Sequence, residues 1–281
     1  MGFYYAMTLH AAATGSLFAL AERLEFWCGI LRPMQVRVRY LGMLKEICGR
    51  DGESVVLPDS ATLGDLYFTL QHRIPQLEQF HRAIALAVNY EYSDNQATLH
   101  DGDEVALIPP VSGGAPEETA TEEGVGVQAT DHAAIVRQPI DGAAIAAAIK
   151  QADDGAVAIF DGIVRNQTRG RRTLYLDYTA YEPMALRQME QLAKQALGSY
   201  AIRDVWLVHR VGRLQIGESS VYIVVASAHR SAALEACRWL IDTLKKTVPI
   251  WKKEYFEDGA VWSDGEPFPP EVPVAGGDAS K

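Results

Sequence analysis

Four lysines and a His-Arg pair stand close together in one stretch, SAHRSAALEACRWLIDTLKKTVPIWKKE, residues 227–254. His229 and Arg230 fall where an apolar strand hands over to a helix. Backbone N–H groups and the helix dipole make such a start attractive to anions, and two adjacent cations add to it. Lys245 and Lys246 end the helix, and Lys252 and Lys253 sit in the strand that follows. A lysine serves as nucleophile or base when it is partly neutral, which burial and a neighbouring ammonium both promote. The same residues also suit plainer work: two lysines at the negative end of a helix, two solvated lysines, and a capping or core histidine. A further group of cations lies in FDGIVRNQTRGRR. Arg165 closes a buried strand, a place from which a guanidinium forks onto phosphate. Arg169, Arg171 and Arg172 follow in a loop and are expected to be exposed and mobile.

A different kind of chemistry is suggested by DGDEVALIPPVSGG, which ends in Gly113-Gly114. Only glycine lets a backbone lie flat in a narrow tunnel, because any Cβ would meet the walls. A carboxyl group at the end of such a tail can be adenylated and converted to a thioester or thiocarboxylate. The same dipeptide also reads as a hinge before a linker. Here Gly114 is followed by Ala115, so the intact chain has no carboxyl group at that point.

The elements that must position these residues fall into two units. Residues 1–33 look detachable, either an early start or an added amphipathic helix. From Met34 the pattern is strand (34–41), short helix (42–48), strand (53–57), and a helix in DSATLGDLYFTLQHR that Ser60 or Thr62 can cap. Leu63, Leu66, Phe68 and Leu70 supply its apolar positions. Strands in AIALAVN and DGDEVALIPP complete an α+β layout over 34–114, with a helix on one sheet face. Residues 115–132 are rich in Glu, Thr, Ala and Gly and read as a linker. The second unit, 133–265, alternates strands with three helices, one capped by Asp141 and two amphipathic over 182–197 and 231–246. Residues 266–281 read as a loose tail.

Composition narrows the classes. The chain has 281 residues, a length comfortable for two domains, and three cysteines, Cys28, Cys48 and Cys237. There is no C-x-x-C pair and no His/Cys cluster with metal spacing, which suits a reducing cytoplasm and predicts no metal site. The run SLFALAERLEFWCGILRP is interrupted by Glu22, Arg23 and Glu25 and makes a poor membrane span. The net charge of −10 lies almost entirely within residues 1–130. An acidic first unit would be drawn to a basic face on the second or on its twin. That charge, and the lack of aromatics between the loop arginines, speak against nucleic acid.

These motifs carry a resemblance. VRYLGMLKEICGR and DGDEVALIPPVSGG resemble the small subunit of molybdopterin synthase, a ubiquitin-like sulfur carrier. IFDGIVRN, LVHRVGRLQIGE, VASAHRSAALEA and LKKTVPIWKKE occur in the order and spacing of the large subunit. The resemblance implies an α+β fold: an N-terminal β-grasp domain, then an α/β hammerhead-type large-subunit domain, fused in one chain. It implies sulfur transfer from a glycine thiocarboxylate to cyclic pyranopterin monophosphate, building the dithiolene of molybdopterin for the molybdenum cofactor. Carried over, Lys252 is the general acid/base or covalent partner and Lys245 its positioning or activating neighbour. His229, Arg230 and Arg165 would hold phosphate and pterin, and Phe160 would shape the pocket or a subunit contact. Gly114, after a cut, would carry the sulfur, with no metal or organic cofactor. The implied partners are an adenylating, sulfur-loading enzyme and a second copy of the chain, with no nucleic acid or membrane. A sulfur carrier fused to an inactive scaffold is the alternative, as is an RNA-binding protein with a basic loop.

Overall fold

A computed structural model describes residues 33–110, 127–263 and 267–275. The extension before residue 33, the Gly113-Gly114 pair and most of the expected linker lie outside the described residues.

The first sheet is built from β1 (Met34–Tyr40), β2 (Gly52–Leu57), β3 (Ala85–Val88), β4 (Glu91–Tyr92) and β5 (Glu104–Ile108), in the order β2-β1-β5-β3-β4. The central pair β1 and β5 is parallel and the other pairings are antiparallel, the β-grasp arrangement. Between β1 and β2 runs the short helix α1 (Leu44–Cys48), closed by Gly49 in the left-handed region at φ 65°. Helix α2 (Leu63–Arg73) starts at Thr62, not Ser60. The Thr62 hydroxyl accepts from Asp65 N at 3.2 Å while the Thr62 N–H donates to Asp65 Oδ2 at 2.9 Å, a reciprocal capping box. Its buried stripe is Leu63, Leu66, Tyr67 and Leu70. Phe68, expected to be buried, is exposed and lies against His72, because the three/four spacing selects Tyr67 instead. A 3-10 turn, Pro75–Phe80, follows.

This small sheet is covered on both faces. Val36, Val38, Tyr40, Val105 and Leu107 meet α2, whereas Leu41, Ala85, Ala87, Ala106 and Ile108 meet the second domain. Strands buried on both sides read as unbroken apolar runs, and ALAV and EVALI have that form.

The second domain begins earlier than its composition suggested. β6 (Gln128–Ala129) already pairs with β7 (Ala133–Val136). Glu190 accepts from Thr130 Oγ1 at 2.6 Å and from His132 N at 3.0 Å, pinning residues that read as linker. Helix α3 (Gly142–Ile149) is capped by Asp141, whose Oδ1 accepts from Ala144 N at 2.9 Å. Then come β8 (Ala156–Ile163), β9 (Gln167–Thr168), β10 (Arg171–Ala180), helix α4 (Glu182–Ser199), β11 (Asp204–Arg210), β12 (Gly212–Gln215) and β13 (Ser219–Ser227). Helix α5 (Arg230–Thr247), β14 (Ile250–Phe256) and β15 (Gly259–Trp262) complete it. One sheet has the order β6-β7-β11-β13-β8, packed by α4 and α5 on one face and α3 on the other. The other is β12-β10-β14-β15, with β9 paired to the start of β10. No described helix is long and apolar enough to cross a membrane.

Two expected loose segments are structured. The basic loop is a hairpin whose two-residue turn, Arg169-Gly170, has positive φ at both positions, the form that matches strand twist. Arg171 pairs with Asp258 at 2.5 Å and stacks 3.9 Å over Phe256, and Arg172 pairs with Glu257 at 3.1 Å. At the other end of the chain, residues 267–275 strap the small domain. Phe268 and Val272 join the interdomain cluster, Val274 bridges Ala85, and the Ala275 N–H donates to Ile84 O at 2.8 Å. Asn95 Nδ2 donates to Ala275 O at 2.7 Å. Val274 bridges β3 at a residue that the short β4 leaves unpaired, so the segment adds a rung to the sheet.

The domain interface also holds a half-buried acid. Glu46 of α1 lies 4.0 Å from Lys253 Nζ, and its other oxygen is buried without a hydrogen-bond partner. Burial pushes the Glu46 carboxyl up to about 7, against the pull of the Lys253 ammonium. A folded-state value above the unfolded one gives a contribution that is full below about 4.5 and lost as pH rises through about 7. Glu46→Gln, neutral at every pH, is therefore expected to be more stable than the parent at pH 8 and to match it near pH 4.5. Urea unfolding across that range checks this, and a difference that does not change with pH would contradict it.

Candidate active site

β10 and β14 lie antiparallel with Tyr178 opposite Lys252 and Asp177 opposite Lys253. Side chains alternate across a strand, so Trp251 and Lys253 face one way and Lys252 and Glu254 the other. The first face docks the small domain. Trp251 is 1% exposed, and its Nε1 donates to Pro109 O at 3.4 Å. Gly42 lies over the indole: a Cβ there would sit 3.3 Å from the ring, at a φ of +52° that disfavours side chains. Lys253 is turned inward between Tyr255, Trp262 and Glu46.

The second face opens into a cavity of about 470 Å³, where Lys252 meets Phe160, Arg165, Tyr178, His209 and Lys245. The strand pattern thus separates two adjacent lysines, only one of which reaches the cavity. On α5 the helical pitch makes the same choice, presenting Ile241, Leu244 and Lys245 but not Lys246. A second cavity of about 410 Å³ is lined by Arg169, Arg171, Glu254 and Trp262 and shares Arg165, Lys252 and Ser263 with the first. Together they form a trough with several cations along it, suited to an anionic ligand.

Lys252 is held in place. Its Nζ lies 3.2 Å from Glu254 Oε1, and Ser263 Oγ donates to the same oxygen at 2.6 Å. Burial alone would raise the Glu254 carboxyl. The Ser263 hydroxyl, the Lys252 ammonium and Thr168 outweigh it and hold Glu254 below the usual range. A buried ionised carboxylate of this kind fixes where the ammonium sits. Tyr178 is pushed up by burial, partly offset by its bond to Ser220.

The expected site residues divide. Lys252, Lys245, Arg165 and Phe160 come together around the cavity. His229 and Arg230 do not join them. Both are exposed at the N-terminus of α5, where His229 is the N-cap without a side-chain cap bond. Fifteen residues of helix, about 22 Å at the α-helical rise, separate Arg230 from Lys245. Gly113 and Gly114 lie outside the described residues, but the chain leading to them leaves at Pro109-Pro110, against Trp251. Glu254, Ser263, Tyr178 and His209 were not singled out from the sequence. Alternation in PIWKKE puts Glu254 on the Lys252 face, and in DVWLVHRVG His209 stands where Val205, Leu207 and Val211 make an apolar face. No group of three or more His, Cys, Asp or Glu with metal-binding geometry occurs among the described residues.

Comparison with known proteins matches both halves. The MoaE protein family matches residues 135–247, and the ThiS family matches residues 38–114. The chain is 45% identical over 131 residues to the molybdopterin synthase catalytic subunit of Nostoc sp., covering 46% of this chain and 79% of that protein. It is 39% identical over 120 residues to the molybdopterin synthase catalytic subunit of Pyrococcus abyssi, covering 43% and 81%. The chain belongs to the molybdopterin synthase catalytic subunit family. A ThiS-family β-grasp domain precedes that MoaE domain in the same polypeptide. A solved structure of molybdopterin synthase from Staphylococcus aureus aligns with a TM-score of 0.45 and 39% identity, covering 46% of this chain and 95% of that one.

Trp251 is the bulkiest fully buried side chain among the described residues and a central member of the interdomain cluster. Trp251→Ala is expected to cost about 3–5 kcal/mol, the range for removing a buried tryptophan. Urea unfolding followed by near-ultraviolet circular dichroism measures it, with the domains parting at a lower denaturant concentration than the second domain unfolds. Retention of the parent's stability and single transition would show that the indole does not hold the domains together.

Proposed function

We propose that this chain is a molybdopterin synthase with both subunits in one polypeptide, transferring sulfur from a thiocarboxylate on Gly114 to cyclic pyranopterin monophosphate. The observation that carries the reading is the docking of the small domain: its exit strand ends on Trp251, the residue before Lys252. The four residues from Val111 to Gly114 span at most about 14 Å when extended, which bounds the path that the tail can take to the cavity. In each transfer a carbon–sulfur bond replaces a carbon–oxygen bond on the pterin side chain. Water then cleaves the acyl–sulfur bond and returns the glycine carboxylate. Two transfers make the dithiolene.

Lys252 is the general acid/base or covalent partner in this scheme, and Lys245 positions or activates it. Arg165 holds phosphate, and Phe160 shapes the pocket. No metal or organic cofactor takes part. An adenylating, sulfur-loading enzyme regenerates the thiocarboxylate.

His229 and Arg230 act on the pterin of a second copy. β8 is a sheet edge carrying exposed Ile159 and Ile163, and Leu234 is exposed on α5. Ser227, two residues before His229, pairs with Ala156 at one end of β8, whereas Arg165 follows its other end. Two copies pairing antiparallel along β8 across a two-fold axis would set the His229-Arg230 end of one against the Arg165 end of the other. The length of β8, seven steps or about 23 Å, matches the stretch of helix that separates the two groups.

Lys252→Ala and Arg230→Ala should each lose activity, the former by about a hundredfold or more, as for a positioned acid/base group. Co-expressed as a mixed dimer, the two variants should regain activity, because one of the two shared sites is then fully native. No recovery in isolated mixed dimers would place Arg230 outside a shared site.

An internal peptide bond cannot be adenylated, so the reading also requires a cut after Gly114, in a polar segment. Mass spectrometry of protein from its own host is expected to show a fragment ending at Gly114, part of it heavier by the exchange of oxygen for sulfur. Gly114→Pro should block the cut and abolish activity. A wholly intact chain that stays active without a separate small subunit would overturn cleavage.

A further inference from the structure

A buried imidazole faces the cavity and has no part in the scheme above. β11 turns Val205 and Leu207 toward the apolar layer beneath α4 and α5, and His209 is the next residue on that face. It is 4% exposed. Its Nδ1 lies 3.0 Å from Arg210 O. A carbonyl oxygen only accepts, so Nδ1 carries the proton and Nε2 keeps its lone pair. Burial lowers the imidazole to about 4, against the bond to Arg210 O, which leaves the ring neutral near neutral pH. The Tyr178 ring stands edge-on at 5.2 Å, but its hydroxyl is engaged with Ser220. No hydrogen-bond partner for Nε2 is found among the described residues. With Nδ1 turned to the backbone, the opposite edge of the ring lines the cavity alongside Phe160, Lys245 and Lys252.

The charged groups around that cavity divide by chemistry. Arg165, Lys245 and Lys252 only donate hydrogen bonds, and Asp161 is an exposed carboxylate. His209 supplies a neutral acceptor on the cavity wall. We propose that His209 is a specificity-determining residue, its Nε2 accepting a hydrogen bond from a ring N–H of a reduced pterin and so selecting the reduced ring over the oxidised one. The inference rests on the functional reading given above. In a reduced pterin, ring nitrogens carry hydrogens where the oxidised, aromatic ring presents lone pairs. An oxidised ring would therefore set a lone pair against the lone pair of Nε2 and displace the water that could otherwise donate to it. Sites built to bond a substrate N–H reject analogues that lack it, because their own buried polar group is left unpaired.

The test uses the full chain and two probes, cyclic pyranopterin monophosphate and its oxidised aromatic form, with affinities measured under anaerobic conditions. The parent is expected to prefer the reduced form by roughly ten- to a hundredfold, the range for leaving one buried group unpaired. His209→Leu, which fills the volume without an acceptor, is expected to bring that ratio close to one by weakening the reduced form. An unchanged ratio in a folded His209→Leu protein would overturn the proposal. Should that variant fail to fold, nitrogen-15 NMR of the histidine-labelled parent decides. The Nε2 resonance of His209 must report an unprotonated nitrogen and must move on saturation with the reduced pterin; a protonated or unmoved Nε2 overturns the assignment. A parent that binds neither pterin would refute the functional reading itself, a result distinct from a parent that binds both equally.

Discussion

The two-residue period of β14 is the constraint on which the rest of this molecule depends. One strand, paired on both sides, must present Trp251 and Lys253 to the small domain and Lys252 and Glu254 to the cavity. A one-residue slip against β10 would exchange the two faces, burying Lys252 in the apolar interface and placing the indole in the site. The register Tyr178 to Lys252 thus decides which lysine lines the cavity. It also sets the docked face and the cavity back to back across a single backbone.

Around that strand, charge is placed by burial more than by number. An acidic first domain and a cation-rich second suggested association through charge, and among the described residues two ion pairs cross between them, Glu91 with Arg187 and Glu46 with Lys253. The interface core is nonetheless apolar, made of Ala85, Ala87, Ala106 and Ile108 against Met184, Trp251 and Trp262. Tyr181 bonds Glu104 across it, and Tyr92 donates to Thr247 O at 2.8 Å. An exposed ion pair contributes about 0–1 kcal/mol, whereas a buried aromatic removes far more apolar area from water. The ionic groups that matter are the inward ones. Glu254 positions Lys252, and a buried pair of that kind is a means of fixing geometry, not a source of net stability.

The chain also holds its small domain by means that do not pass through the linker. The strap from Phe268 to Ala275 crosses from the interdomain cluster to the free part of β3 and ends in the core beneath α2. A cut after Gly114 would therefore leave the first domain attached by contacts that the second domain and its C-terminal segment supply. Covalent continuity and functional docking are separate properties here.

Much of this was legible in the order of residues alone, because it depends on local rules. Alternation in MQVRVRY, the three/four spacing of α4 and α5, the Asp141 cap and the motifs around His229, Lys245 and Lys252 each involve neighbours in sequence. The misses differ in cause. Tyr67 in place of Phe68 follows from the helical spacing itself, and the Arg169-Gly170 hairpin and the β6–β7 pairing join residues only a few positions apart. The strap of residues 267–275 alone turns on partners at the far end of the sequence, Ile84, Ala85 and Asn95. Only the tertiary structure could decide which of two adjacent lysines meets the cavity, since that follows from strand register. It alone shows that His229 and Arg230 stand a helix length from Lys245, since distance along a helix is set by its rise and not by the likeness of a motif. It also set His209 on the cavity wall with Nδ1 beside the carbonyl of Arg210. The sequence by itself determined which chemical groups this protein owns; folding decided which of them share a space and which face the solvent.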